Sequence, residues 1–157
     1  MTESTKEKIR ILYVDDEENN LQAFKATFRR EYKVHLAISA EEGRNILKTK
    51  EIDLIITDQR MPEETGVEFL ESIIPNYPDP IRILLTGYTD IQAVIDAINK
   101  GQVYHYLTKP WEEDYMKTVI KNAFEVFSLR KENKKLTDDL IKANEQLEFL
   151  LRQKLLS

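Results

Sequence analysis

Short apolar runs alternate along the chain with stretches in which apolar residues recur at helical spacing. Ile9-Arg10-Ile11-Leu12-Tyr13-Val14, Tyr32 to Ile38, Ile52 to Thr57, Ile81 to Leu85 and Val103 to Leu107 are the runs. Runs of that length read as strands buried on both faces. Between them, Leu21, Phe24 and Phe28 lie at helical spacing, and Ser39 or Ala40 opens a helix to about Lys50, with Ser39 and Glu42 placed as a capping box. Pro62 to Gly66 is a turn, and Val67 to Ile74 a helix that Pro75 and Pro78 stop. Asp90 caps a helix carrying Ile91, Val94, Ile95 and Ile98, and Gly101 stands where a C-terminal glycine belongs. Five strand and helix alternations predict an α/β flavodoxin-like three-layer sandwich, because right-handed crossovers must cover both faces of a five-stranded parallel sheet.

From about Glu112 the helical pattern continues without a breaker. Val126, Asn133, Leu140 and Leu147 fall at a positions, and Leu129, Leu136, Ala143 and Leu150 at d positions. That is a heptad seam, and Asn133 at an a position favours a two-stranded parallel pairing in one register. A helix folded back on its own domain is the alternative. Pairs such as Glu132 with Thr137 and Asp139 with Asn144 offer little ionic support at g and e, so moderate dimer affinity is expected.

Composition narrows the class. The 157 residues suffice for one domain and little more, and 41% hydrophobic residues support a core. With no cysteine, disulfides and thiolate metal sites are excluded. No run approaches the roughly 18 apolar residues of a membrane span, so the expectation is a cytoplasmic protein without membrane contact. A net charge of −5 argues against general nucleic-acid binding. Arg130-Lys131 and Lys134-Lys135 stand beside Glu132, Asp138 and Asp139 with no base-reading cluster before the seam, so they read as a solvated helix face rather than a DNA-reading basic region.

The chemistry lies at the ends of the runs. Asp15 and Asp16 follow the first, Asp58 the third, Thr86 the fourth, and Lys109 the fifth. In such sheets the carboxyl ends of the strands form the ligand crevice. A lone Asp-Asp pair is commonly a helix cap, but five polar groups on four strand ends argue for one site. Three carboxylates repel by about 4 kcal/mol per pair at about 4 Å and an effective dielectric of about 20, so a cation is needed. Oxygen-only ligands suit Mg²⁺, and a lysine and a hydroxyl suit a phosphoryl group. Such a site can place a phosphoryl group on a carboxylate.

Val14-Asp15-Asp16-Glu17, Asp58-Gln59-Arg60-Met61-Pro62 with Gly66, Leu85-Thr86-Gly87-Tyr88 and Tyr106-Leu107-Thr108-Lys109-Pro110 together resemble the receiver domain of two-component response regulators, over about residues 9–128. The resemblance implies a fold like that of the chemotaxis regulators, and Asp58 as phosphoacceptor for a sensor histidine kinase or phosphotransfer protein. It also implies Asp15, Asp16, Asp58 and the Arg60 backbone carbonyl as Mg²⁺ ligands, and Lys109 as the phosphoryl contact. Thr86 and Tyr106 would form a switch that changes the face of the fourth helix, fifth strand and fifth helix. Arg60 and Tyr88 occupy positions that in the family tend to set the lifetime of the acyl phosphate; the alternative is two solvent-facing loop residues. Trp111 after Lys109-Pro110, with Gly87-Tyr88-Thr89-Asp90, resembles receivers of hydrogenase-type regulators and of regulators with cyclic-dinucleotide phosphodiesterase outputs.

The expected organisation is a polar tail over 1–8, a receiver over 9–125 and a coiled-coil helix over 126–157 that makes a homodimer. Ser157 falls within an uncapped helical pattern, so an effector domain beyond it is expected; a complete small protein whose coiled coil is the output is the alternative. The expected function is a phosphorylation-controlled switch whose only catalysis is its own phosphoryl transfer and dephosphorylation. One rival is a constitutive dimerisation module that takes no phosphate. Another is a Mg²⁺-dependent phosphohydrolase of the haloacid-dehalogenase type, but Arg60 stands where such enzymes carry a second aspartate.

Overall fold

A computed structural model describes residues 7–87 and 91–156. Five parallel strands, β1 (Arg10–Val14), β2 (Lys33–Ala37), β3 (Leu54–Asp58), β4 (Ile81–Thr86) and β5 (His105–Thr108), lie in the order β2-β1-β3-β4-β5. The helices are α1 (Glu18–Phe28), α2 (Ala40–Thr49), α3 (Gly66–Ile73), α4 (Ile91–Asn99) and α5 (Glu113–Leu156). The expected doubly wound sandwich is present. Strand order reverses direction at β1, so the carboxyl ends of β1 and β3 border the crevice where such sheets bind ligands.

Two cores explain why the strand sequences show no polar alternation. Ile11 and Tyr13 of β1 pack with Leu54 and Ile56 of β3 against α1 and α5, where Phe24, Phe28, Met116 and Ile120 are fully buried. Leu12 and Val14 point to the other face, against Phe69, Leu70 and Val94 of α3 and α4. Each fully buried aliphatic or Phe side chain contributes about 1.5–3 kcal/mol, so both faces must be apolar. The edge strands β2 and β5 are only half-buried.

Local signals met mixed outcomes. Gly101 takes a φ of 73° and, with Gly101 N–H to Ile98 O at 3.0 Å and Gln102 N–H to Ala97 O at 2.9 Å, closes α4 as a Schellman motif. Ser39 caps α2 by accepting the Glu42 N–H at 3.1 Å, but Glu42 is not seen to reach back, so only half of the expected capping box forms. The complete box is at Thr65 and Glu68, at the start of α3. The Asp90 cap lies outside the described residues.

The long C-terminal helix α5 is unbroken from Glu113 to Leu156, and every residue from Ser128 to Leu156 is exposed. The folded-back alternative is therefore not what this chain does. Val126 is half-buried against the α1/α5 core together with Phe127, so it belongs to the receiver's own packing as well as to the heptad pattern.

Gly66 ties the fold to the site, because a Cβ there would collide with the Asp58 backbone carbonyl and sit 2.8 Å from Leu84 Cδ1. Replacing it with alanine is expected to destabilise the domain by about 1–3 kcal/mol, the range for overpacking a tight contact. Urea denaturation would measure this, and a loss below a few tenths would show that the β3–α3 turn yields freely.

Candidate functional site

The acidic residues converge because parallel strands end together. β1 delivers Asp15 and Asp16 just past Val14, and β3 delivers Asp58 as its final residue. Carboxylate oxygens of all three lie within 4.8 Å of one another. Asp15 is fully buried, Asp58 nearly so, and Asp16 half-buried.

Asp15 is held by donors on every side. Its Oδ1 accepts the Glu17 N–H at 3.0 Å, and its Oδ2 accepts from Tyr13 Oη at 3.1 Å, Asn20 Nδ2 at 3.2 Å and Lys109 Nζ at 3.4 Å. Lys109 also reaches Asp58 Oδ2 at 3.0 Å. One ammonium group thus bridges carboxylates from two strands. Lys109 reaches this spot from the end of β5, where its backbone N–H bonds to Thr86 O at 3.1 Å, and its peptide bond to Pro110 is cis.

Burial pushes the Asp58 carboxyl above its ordinary range; Lys109 opposes this, while the charges of Asp15 and Asp16 reinforce it. For Lys109 burial pulls downward, yet the hydrogen bond and charge of Asp58, with those of Asp15, leave the ammonium more strongly protonated than usual. The site therefore holds more negative charge than one lysine offsets. An oxygen-only set of this kind fits a hard divalent cation such as Mg²⁺.

The β3–α3 loop is fixed beside the acceptor. Gln59 N–H bonds to Leu85 O at 2.9 Å, its Oε1 accepts the Val67 N–H at 2.9 Å, and its carbonyl accepts the Gly66 N–H at 3.0 Å. Arg44 of α2 grips Glu64 through both guanidinium nitrogens at 2.8 and 2.9 Å. This bracing sets the path of the backbone at Arg60, whose side chain is exposed. Thr86, at the end of β4, is buried and donates to Gly87 O at 3.0 Å. Tyr106 is half-buried against the α3/α4 core, and Tyr88 lies outside the described residues.

Asp15, Asp16, Asp58, Thr86 and Lys109 thus meet at one sheet edge. Tyr13 and Asn20 were missed as members of the site. Tyr13 carried a signal: it shares a strand face with Asp15 two residues on, and a tyrosine inside a buried aliphatic run needs a partner for its hydroxyl. Asn20 lies in the first turn of α1, where nothing in the pattern marks it.

Residues 11–121 match the family model described as the response regulator receiver domain. Over 147 residues the chain is 35% identical to the hydrogenase transcriptional regulatory protein HoxA of Cupriavidus necator, covering 94% of this chain and 30% of that one. The chain spans about a quarter to a third of the length of the curated relatives it matches, such as the HoxA proteins. Among solved structures, a response regulator receiver domain protein from Clostridium thermocellum has a TM-score of 0.72 at 33% identity, covering 77% of this chain and 98% of that one. An adenylate cyclase structure from Rhodopirellula baltica has a TM-score of 0.81 at 27% identity, covering 83% and 98%. The chain belongs to the response regulator receiver domain family, whose members are signalling switches of two-component systems rather than classical enzymes. No helix among the described residues is long and apolar enough to cross a membrane.

The raised Asp58 carboxyl has a sign that can be checked. A group that binds its proton more tightly folded than unfolded contributes stability that is full below its unfolded pKa and lost as pH rises through the folded one. Asp58→Asn should therefore gain stability relative to the native chain as pH rises from about 3 to about 7, because the buried charge is removed. Saturating Mg²⁺ at about 100 times its Kd should stabilise the native chain by about 2.7 kcal/mol and the variant by much less. Chemical denaturation across pH, with and without Mg²⁺, measures both.

Proposed function

We propose that this member of the receiver family accepts a phosphoryl group on Asp58 from a partner histidine kinase or phosphotransfer protein and passes the change to α5. The observation that carries this reading is the single ammonium of Lys109, 3.0 Å from Asp58 and 3.4 Å from Asp15, at a strand-end crevice. The matched relatives differ in role, from a hydrogenase transcriptional regulatory protein to an adenylate cyclase. What they share with this chain is the receiver fold, and the proposed chemistry is that of the receiver's acidic site.

An Asp58 carboxylate oxygen attacks the phosphorus of a phosphohistidine. The P–N bond breaks, its electron pair stays on the imidazole, which takes up a proton, and Asp58 becomes an acyl phosphate. Asp15, Asp16, Asp58 and the Arg60 backbone carbonyl would hold Mg²⁺, which supplies positive charge against the phosphoryl oxygens. Lys109 moves with the transferred oxygens and offsets their charge. The Thr86 hydroxyl, which donates to Gly87 O in the present state, turns to the phosphoryl group, and Tyr106 moves into the space it leaves. The result is a population shift limited by how differently the phosphoryl group binds the two states.

The output reaches a second copy of the chain through α5. Leu129, Leu136, Leu140, Leu147 and Leu150 are each more than half exposed, at 60, 58, 61, 56 and 63%. At about 100° per residue, this seam lies about 160° around the helix from Met116, Ile120 and Ala123, which pack on the sheet. A partner helix can therefore lie along the seam without displacing the receiver, and Asn133 would pair with its mate to set register.

Acetyl phosphate with Mg²⁺ should add one phosphoryl group per chain by intact mass, and Asp58→Asn should add none. Absence of the adduct would leave a constitutive dimerisation module. Leu140→Glu should weaken self-association by about 100-fold, which is about 2.7 kcal/mol. Sedimentation equilibrium would measure it, and an unchanged dissociation constant would remove the seam from the interface.

A further inference from the structure

The acidic site touches α5 by a second path, on the opposite sheet face from Tyr106. Tyr13 donates its hydroxyl to Asp15 Oδ2 at 3.1 Å. Its ring stacks on Phe24 with centroids 4.2 Å apart and planes 4° from parallel. Phe24 meets Trp111 edge-on at 5.9 Å, and Trp111 packs on Phe28 at 5.5 Å. Trp111 stands two residues after Lys109 and two before Glu113, where α5 begins. Trp111 is therefore tied to the acidic site twice, along the backbone from Lys109 and across the core through Phe24 and Tyr13.

The chemistry of Asp15 makes this tie responsive. Its Oδ2 already accepts from Tyr13, Asn20 and Lys109. A cation arriving at the carboxylate, or a phosphoryl group drawing Lys109 away, changes what Oδ2 can share with the tyrosine. The Tyr13 ring sits in a close-packed aromatic stack, and such interiors transmit displacement rather than absorb it. Tyr106 lies on the α3/α4 side of the sheet, whereas Tyr13 and Trp111 lie on the α1/α5 side. The two paths share no core residues.

We propose that Tyr13 and Trp111 form a second relay that couples occupancy of the acidic site to the start of α5, with Tyr13 as a positioning residue for Asp15. The inference rests on the proposed role of Asp15 and Asp58 as the cation and phosphoryl site. Trp111 is the sole tryptophan of the chain, so its emission reads the relay directly.

The test uses the full chain, titrated with Mg²⁺ alone and then with Mg²⁺ and beryllium fluoride as a phosphoryl analogue. Emission and thermal stability are followed together. In the native chain both should change and saturate. Tyr13→Phe keeps the ring and the stack, so Mg²⁺ should still stabilise it with a midpoint within about threefold of native, while at least half of the emission change is lost. Asn20→Ala removes a different donor from the same oxygen and should keep the emission amplitude at saturation. A native amplitude in Tyr13→Phe, or equal losses in the two variants, would overturn the relay. Failure of Mg²⁺ to stabilise the native chain would overturn both the relay and the site reading, whereas stabilisation of both chains with a native emission amplitude in Tyr13→Phe overturns the relay alone.

Discussion

The structure turns on the placement of one lysine among three carboxylates. Bringing Asp15, Asp16 and Asp58 within 4.8 Å is unfavourable by several kcal/mol unless positive charge accompanies them. Lys109 supplies part of it by spanning Asp15 and Asp58, and it reaches them because β5 ends level with β1 and β3. The partial nature of that compensation is what makes the site useful. A fully neutralised cluster would have no reason to take a divalent cation or to respond to a phosphoryl group.

Everything around the cluster serves to keep it from relaxing. Gly66 lets α3 start against the Asp58 carbonyl, Gln59 ties the loop back to both β4 and α3, and Arg44 clamps Glu64 from a third element. Asp15 is fixed from both of its oxygens. The carboxylates cannot swing apart, so a change in their charge balance passes into the two cores. One lies under Tyr106 and α4, the other under Tyr13, Trp111 and α5. Under the proposed function, a long helix that begins beside the site and runs beyond the domain would convert such a change into one of assembly.

Much of this was legible from the chain alone. The five strands were visible because parallel strands buried on both faces must be continuously apolar, and the site because its charged residues stand where those runs stop. Strand limits shifted by one or two residues, as with β5, which starts at His105 rather than Val103. Val103 is buried before pairing begins, and an apolar pattern reports burial rather than hydrogen bonding. The capping box at Thr65 went unremarked beside the more obvious signals of Pro62 and Gly66, while the one read at Ser39 formed only on one side.

The sequence by itself determined the sheet, the acidic site and the uninterrupted helix, because these depend on which residue types recur and at what spacing. Only the tertiary structure decided which groups share one proton donor, which side of the sheet each aromatic ring joins, and where along α5 packing against the receiver gives way to exposure. Those depend on distances between residues far apart in the chain, such as the 94 positions that separate Asp15 from Lys109, and local pattern carries no information about them.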